Sequence, residues 1–385
     1  MILYELIDYS TLKMIWWLLL GILLIGFAAT DGFDMGVGAL LPFVAETDIE
    51  RRVVINTIGP TWEGNQVWFI LGGGAIFAAW PPLYAISFSG FYLAMFVVLA
   101  SMILRPVAFK YRSKRPDPSW RTAWDWALFV GSFVPALVFG VAVGNVLLGV
   151  PFKLDPDLRM TYEGSFFGLF SLFSLLCGLL SVAMLVTHGS VWLVMRASGD
   201  VAARARRFGT VAAGLGLVLF ALGGYLVASG FVEGFRITSE VDPNMPSNPL
   251  AKQVVTEGGA WMYNYAAHQI LWLAPALGFI GLFGTLILLQ TRMEMLVFAF
   301  SKLAVFGIIS TVGVSMFPFI LPSSVQPEAS LTVWDAASTH QTLFNMLVAT
   351  AIFLPIVLVY TAWVYKVLWG KVDEETIERD NHTAY

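Results

Sequence analysis

The chain has 385 residues, of which 58% are hydrophobic and only 12% charged, and its net charge is −4. Soluble domains carry about 25% charged residues because their surfaces face water, so a soluble fold is excluded. A small negative charge without a long basic run excludes nucleic-acid binding as well. The single cysteine, Cys177, allows neither an intrachain disulfide nor a zinc cluster, and within an apolar run it reads as a small buried residue.

Crossing a hydrocarbon core of about 30 Å takes about 20 apolar residues as helix. Nine windows approach or exceed that length and predict an all-α integral membrane protein, organised as one polytopic domain over 1–385. The first, roughly 14–38, leads directly into further spans and is read as a retained helix rather than a signal peptide. It carries Asp31 and Asp34 in the glycine-rich stretch Thr30-Asp31-Gly32-Phe33-Asp34-Met35-Gly36. The second, roughly 62–80, opens on Trp62-Glu63-Gly64-Asn65-Gln66 and stops at Trp80-Pro81-Pro82, where proline turns the chain into a third at roughly 82–104. The remaining spans fall at roughly 124–149, 164–194, 208–232, 262–290, 295–321 and 342–369. Gly72-Gly73-Gly74, inside the second, reads as close helix packing. Residues 233–259 and 322–341 are left as long loops, the second without a basic residue.

Lysine and arginine accumulate in loops that stay in the cytoplasm. Sixteen of the 22 basic residues follow odd-numbered spans or lie in the C-terminal tail, five lie on the opposite side, and Lys302 is inside a span. The bias places the N-terminus outside and the C-terminus in the cytoplasm, and it requires an odd number of spans. Tryptophans such as Trp16, Trp17, Trp80, Trp124, Trp363 and Trp369 fall near span ends, where an indole suits the headgroup layer.

A carboxylate at membrane depth is costly unless it is neutral, paired or wet, so intramembrane acids are the first candidates for function. Asp31 and Asp34 stand three apart, on one side of a helix, and either cap or pair helices or hold protons. Glu63 either pairs with an arginine or, beside the amides of Asn65 and Gln66, opens a water-lined proton path. Membrane haems are commonly held by histidine pairs. Of the four histidines, His382 is in the tail and His340 at a span edge, which leaves His188 and His268; each reads more plainly as a helix-to-helix hydrogen bond. No nucleotide-binding or nucleophile-elbow motif is present.

At these segments the chain resembles subunit II of the bacterial cytochrome bd quinol oxidases. The resemblance is carried by Ile15-Trp16-Trp17-Leu18, the Asp31 and Asp34 stretch, Trp62-Glu63-Gly64-Asn65-Gln66-Val67-Trp68, Phe77-Ala78-Ala79-Trp80-Pro81 and Gly131-Ser132-Phe133-Val134-Pro135. Late in the chain it is carried by Ser247-Asn248-Pro249-Leu250, Met316-Phe317-Pro318-Phe319 and Ser330-Leu331-Thr332-Val333-Trp334-Asp335-Ala336. The resemblance implies two four-helix bundles plus one extra helix, and an inner-membrane complex that oxidises quinol and reduces dioxygen to water. It implies that haems b and d reside in subunit I, with no cofactor assigned to this chain beyond a bound quinone or lipid, and that a small single-helix subunit accompanies the pair. Residue by residue, it assigns Glu63 to a proton route, matches Asp34 to the second aspartate of the family's Thr-Asp-Gly-Phe-Asp motif and Trp68 to a tryptophan near a dioxygen path; Asp34 and Asp31 join Glu63 as proton-path candidates. A secondary transporter and a structural membrane scaffold are the competing classes; a transporter calls for matching broken helices in two halves, a symmetry the sequence lacks.

Overall fold

The structure is a computed structural model that describes residues 3–379; His382 lies outside the described residues. Among the described residues eight helices are long and apolar enough to cross a membrane, or nine when one sharply bent pair counts as a span. The first, α1 (Tyr9–Val44), runs 36 residues, about 54 Å at 1.5 Å per residue. It therefore projects beyond the hydrocarbon zone at its ends. An amphipathic helix α2 (Asp48–Ile58) follows, closed by a capping box in which Thr47 Oγ1 accepts from the Glu50 N–H and the Glu50 carboxylate from the Thr47 N–H.

The bent pair is α3 (Trp62–Ala79) and α4 (Pro81–Gly90), which meet at 119°. Proline supplies no N–H and restarts the helix at its first position, so the chain turns at Trp80 as the sequence suggests. The expected span at 82–104 is corrected here: it is broken at Phe91, and the membrane-length helix is α5 (Tyr92–Lys114). Then come α6 (Pro118–Leu148), α7 (Leu172–Arg196), α8 (Gly199–Ala228), α9 (Gln269–Leu288), α10 (Glu294–Met316), α11 (His340–Val367) and a short α12 (Glu374–Arg379). Other expected limits also move. Residues 164–171 and 262–268 form short turns ahead of α7 and α9, and residues 319–321 leave α10 to form a strand.

The non-helical segments gather at one end as three antiparallel hairpins: β1 (Phe152–Leu154) with β2 (Met160–Tyr162), β3 (Glu233–Ile237) with β4 (Val254–Gly258), and β5 (Phe319–Leu321) with β6 (Leu331–Thr332). The two long loops are thus partly built as sheet. Lys13 is also at this end, fully buried, with its ammonium donating to the carbonyls of Pro243 (2.9 Å), Met245 (3.2 Å) and Trp334 (2.7 Å). Lys252 pairs with Asp335 at 2.8 Å across two loops. Burial pushes the Asp335 carboxyl up and the Lys252 amine down, each shift opposed by the partner's charge.

The opposite end holds most of the basic residues, tied to acids. Asp125 accepts from Arg51 (3.1 Å) and Arg112 (2.5 Å), Asp48 from Arg112 (2.9 Å) and Arg121, and Glu50 from Arg204. Burial raises the Glu50 carboxyl, but hydrogen bonds from Arg204 and the backbone outweigh it and leave the group below its ordinary value. The alternation read from lysine and arginine is therefore an alternation between two ends of one molecule.

α1 packs on α3 and α6, and α5 on α6; α7 packs on α8 and α10, and α9 on α8 and α10. These make two groups of four spans, joined along α1, α6 and α7. At the crossing of α1 and α7 the backbones touch: a Cβ on Gly36 would lie 2.0 Å from the Leu185 carbonyl oxygen, and one on Gly189 2.5 Å from the Gly36 carbonyl carbon. α11 stands apart as the extra helix, with Leu343 its one buried residue.

Candidate functional site

Along α3 a helical period of three to four residues sorts the motif Trp62 to Trp68. Trp62, Asn65 and Trp68 turn inward to α1, whereas Glu63 and Gly64 turn outward. Trp62 stacks on Phe109 with ring centroids 5.0 Å apart, and Trp68 packs so closely on α1 that a Cβ on Gly26 would lie 2.7 Å from its ring.

Facing this stripe, Asp31 and Asp34 lie deep inside α1, far from either end, and both are fully buried. Capping is thus overturned for both. Asp31 is paired: its two oxygens receive both terminal nitrogens of Arg105 at 3.0 and 2.8 Å, a bidentate bridge with neither side chain exposed. Arg105, counted from sequence as a loop cation, is a buried residue of α5 and the counter-charge that the sequence could not assign. Asp34 has no cation of its own. Asn65 donates to its Oδ2 at 2.7 Å, and its Oδ1 has no hydrogen-bond partner among the described residues. Asn65 in turn accepts from the Tyr365 hydroxyl at 2.6 Å, which brings α11 to the site.

Glu63 is not part of this cluster. It lies on the outer side of the turn, solvent-accessible in the isolated chain, with no hydrogen bond or ion pair among the described residues. The arginine pairing considered for it is absent. Further along, the outer faces of α3 and α5 are apolar, with Ile70, Phe77, Phe96 and Ile103 exposed.

A sequence model of cytochrome bd terminal oxidase subunit II matches residues 12–368. The chain is 51% identical over 381 residues to cytochrome bd-I ubiquinol oxidase subunit 2 of Escherichia coli K12, covering 98% of this chain and 100% of that one. It is 48% identical to a probable cytochrome oxidase subunit 2 of Haemophilus influenzae, with the same coverage. This chain belongs to the cytochrome bd oxidase subunit II family. It is a multi-span subunit of a respiratory quinol oxidase complex of the bacterial inner membrane, and a second subunit of that kind has subunit I as partner. A chain of a bd oxidase structure from Geobacillus thermodenitrificans shares the fold, with a TM-score of 0.58 at 11% identity, over 97% of this chain and 99% of that one.

The family's haems can be tested against the histidines present. His188 is fully buried with both ring nitrogens engaged: Nε2 donates to the Ala29 carbonyl at 3.1 Å and Nδ1 faces Ser301 Oγ at 2.9 Å. It joins α7 to α1 and α10. His268 is exposed and lies at the hairpin end, where α9 begins, roughly 24 Å from the His188 level at 1.5 Å per residue along α7. The pair cannot flank one haem. His340 Nε2 donates to the Ile7 carbonyl near the N-terminus at 2.7 Å. A haem therefore does not fit the histidine positions described. Sequence reasoning found both aspartates but missed Arg105 and Tyr365, whose one signal is that each is a polar group at the end of an apolar run.

Proposed function

We propose that this subunit supplies a proton route to the oxidase and leaves the haems b and d, with quinol oxidation and dioxygen reduction, to subunit I. The observation that carries the reading is Glu63, a carboxyl without a partner among the described residues of its own chain, at the start of a helix whose outer face is apolar. Against lipid an ionised carboxylate costs about 2.5–3.5 kcal/mol at depth, so this face is suited to subunit I, whose polar groups or bound water would receive the acid. Asp34, with one free oxygen inside the chain, is a second resting point for a proton, and Asp31 holds Arg105 in place beside it. Trp68, packed on α1 against Gly26, is the residue the resemblance assigns to the vicinity of a dioxygen path.

The charge distribution supports a periplasmic N-terminus and a cytoplasmic C-terminus, so protons taken at Glu63 come from the cytoplasmic side. The nearly unburied α11 leaves surface for lipids and a small single-helix subunit.

The test is Glu63→Gln, which keeps size and hydrogen bonding but removes the titratable site. Haem content is expected to stay at the wild-type level while quinol-driven oxygen uptake falls at least tenfold, and Glu63→Asp to retain part of the rate. Full turnover in Glu63→Gln removes the proton role; parallel loss of haem and activity makes the residue structural.

A further inference from the structure

Tyr365 is the most distant residue in sequence to reach the acid cluster, 300 positions from Asn65. Its ring packs edge-on against Trp192 with centroids 6.1 Å apart, and Trp192 stacks on Phe33 at 4.1 Å, beside Asp34 in α1. Phenol and acid are thus joined twice, through Asn65 and through the two rings. On its other side Tyr365 lines a cleft with Thr57, Thr61, Arg196 and Trp369 at the basic end.

A cleft, a hydroxyl, an amide and a carboxyl in series resemble a proton wire, but the amide breaks it. A hydroxyl or carboxyl gives up one proton while taking another; an Asn side chain donates through nitrogen and accepts through oxygen without exchanging between them. The chain of bonds fixes orientation instead. A carboxylate only accepts, so Asn65 must turn its nitrogen toward Asp34 and its oxygen toward Tyr365, which must donate. Asp34 Oδ2 is thereby occupied, and Oδ1 is the one oxygen left to exchange a proton.

We propose that Tyr365 is a positioning residue for Asp34: by setting the direction of the Asn65 amide it fixes which carboxyl oxygen carries the proton. The inference rests on the proton route proposed above and adds that the ninth span, otherwise loosely attached, controls the geometry of an acid in the first.

The experiment is pH-difference infrared spectroscopy of the complete oxidase complex, with the Asp34 band identified by its loss in Asp34→Asn. Tyr365→Phe should keep wild-type haem content and move that band, and Asn65→Leu should move it further in the same direction. Fluorotyrosine placed at position 365 keeps the ring's packing and strengthens the donor, so the band should move the opposite way even if the phenylalanine variant assembles poorly. An Asp34 band at the wild-type position with both substitutions at 365 overturns the proposal. The two readings fail separately. Full turnover in Asp34→Asn removes the acid from the proton route but leaves a band shift in Tyr365→Phe as proof of the clamp. Lost turnover in Asp34→Asn with an unmoved band in Tyr365→Phe keeps the route and rejects the clamp.

Discussion

Asp31 and Asp34 are the same residue type three positions apart, yet one is neutralised by a bidentate guanidinium and the other is held by an amide. Removing one partner of a buried ion pair leaves the other charge uncompensated, at about 3–5 kcal/mol. Arg105→Met is therefore expected to lower the melting temperature and the haem yield of the complex, and the double variant Arg105→Met with Asp31→Leu to recover much of both; an Arg105→Met complex as stable as wild type would show that the bridge contributes nothing. The Lys252 and Asp335 pair gives a pH-dependent version. Because burial holds Asp335 above its ordinary value, its contribution is complete below the usual carboxylate range and lost as pH rises through the raised value. Lys252, held low, contributes above the usual lysine range and loses that as pH falls through the lowered value. Each charge opposes the shift that burial imposes on the other, so Lys252→Met should destabilise at neutral pH, and the loss should shrink on acidification, which favours a protonated Asp335. Melting curves at the two pH values check the sign. The acids were legible from sequence because charge in an apolar run is conspicuous. Their partners were not, because Arg105 is 74 positions from Asp31 and nothing in an apolar pattern says which spans are neighbours.

The helices were legible for a related reason: a run of about 20 apolar residues has few alternatives in lipid. Their ends were not. Residues 164–171 contain Phe166, Phe167, Leu169 and Phe170, so hydropathy extends the span, but the backbone turns through a short 3-10 helix at Phe167–Leu169 before Ser171 caps α7. Likewise Trp261 and Met262 are apolar but follow Gly259 at φ 81°, a left-handed turn that delays the helix. Strands were not foreseen because two- to five-residue hairpins leave no periodic signature. Helix contact, in contrast, rests on a few glycines. Gly36→Leu puts a side chain where the Leu185 carbonyl lies and should prevent the α1 and α7 crossing, abolishing assembly, whereas Gly72→Ala, where a Cβ meets nothing within 4 Å in this chain, should be tolerated unless subunit I covers that face. Membrane-fraction yield and haem content distinguish these outcomes. α2 depends on Glu50, whose carboxyl is held below its ordinary value. Its contribution is intact at neutral pH and lost as pH falls through that lowered value, and Glu50→Gln should remove that acid sensitivity.

Across the whole molecule, charge divides the chain into a hairpin end and an arginine-rich end, and the proposed orientation rests on which end holds the cations. Ser113, between Arg112 and Lys114, should be reached by a thiol reagent in Ser113→Cys only after the membrane is opened, and labelling in intact cells would reverse the topology. The two bundles meet along α1, α6 and α7, so the acid cluster, the histidine bridge and the α1 crossing share one seam. At that seam both ring nitrogens of His188 are already engaged, by Ala29 and Ser301, and the proposed division of labour with subunit I is tested there. The most direct test is the absorbance spectrum of the intact complex carrying His188→Gln, a substitution that keeps a polar side chain between Ala29 and Ser301. Every haem band is predicted at its wild-type intensity per complex. Loss of one band from a complex that still assembles with subunit I would place a haem on this chain and contradict the account.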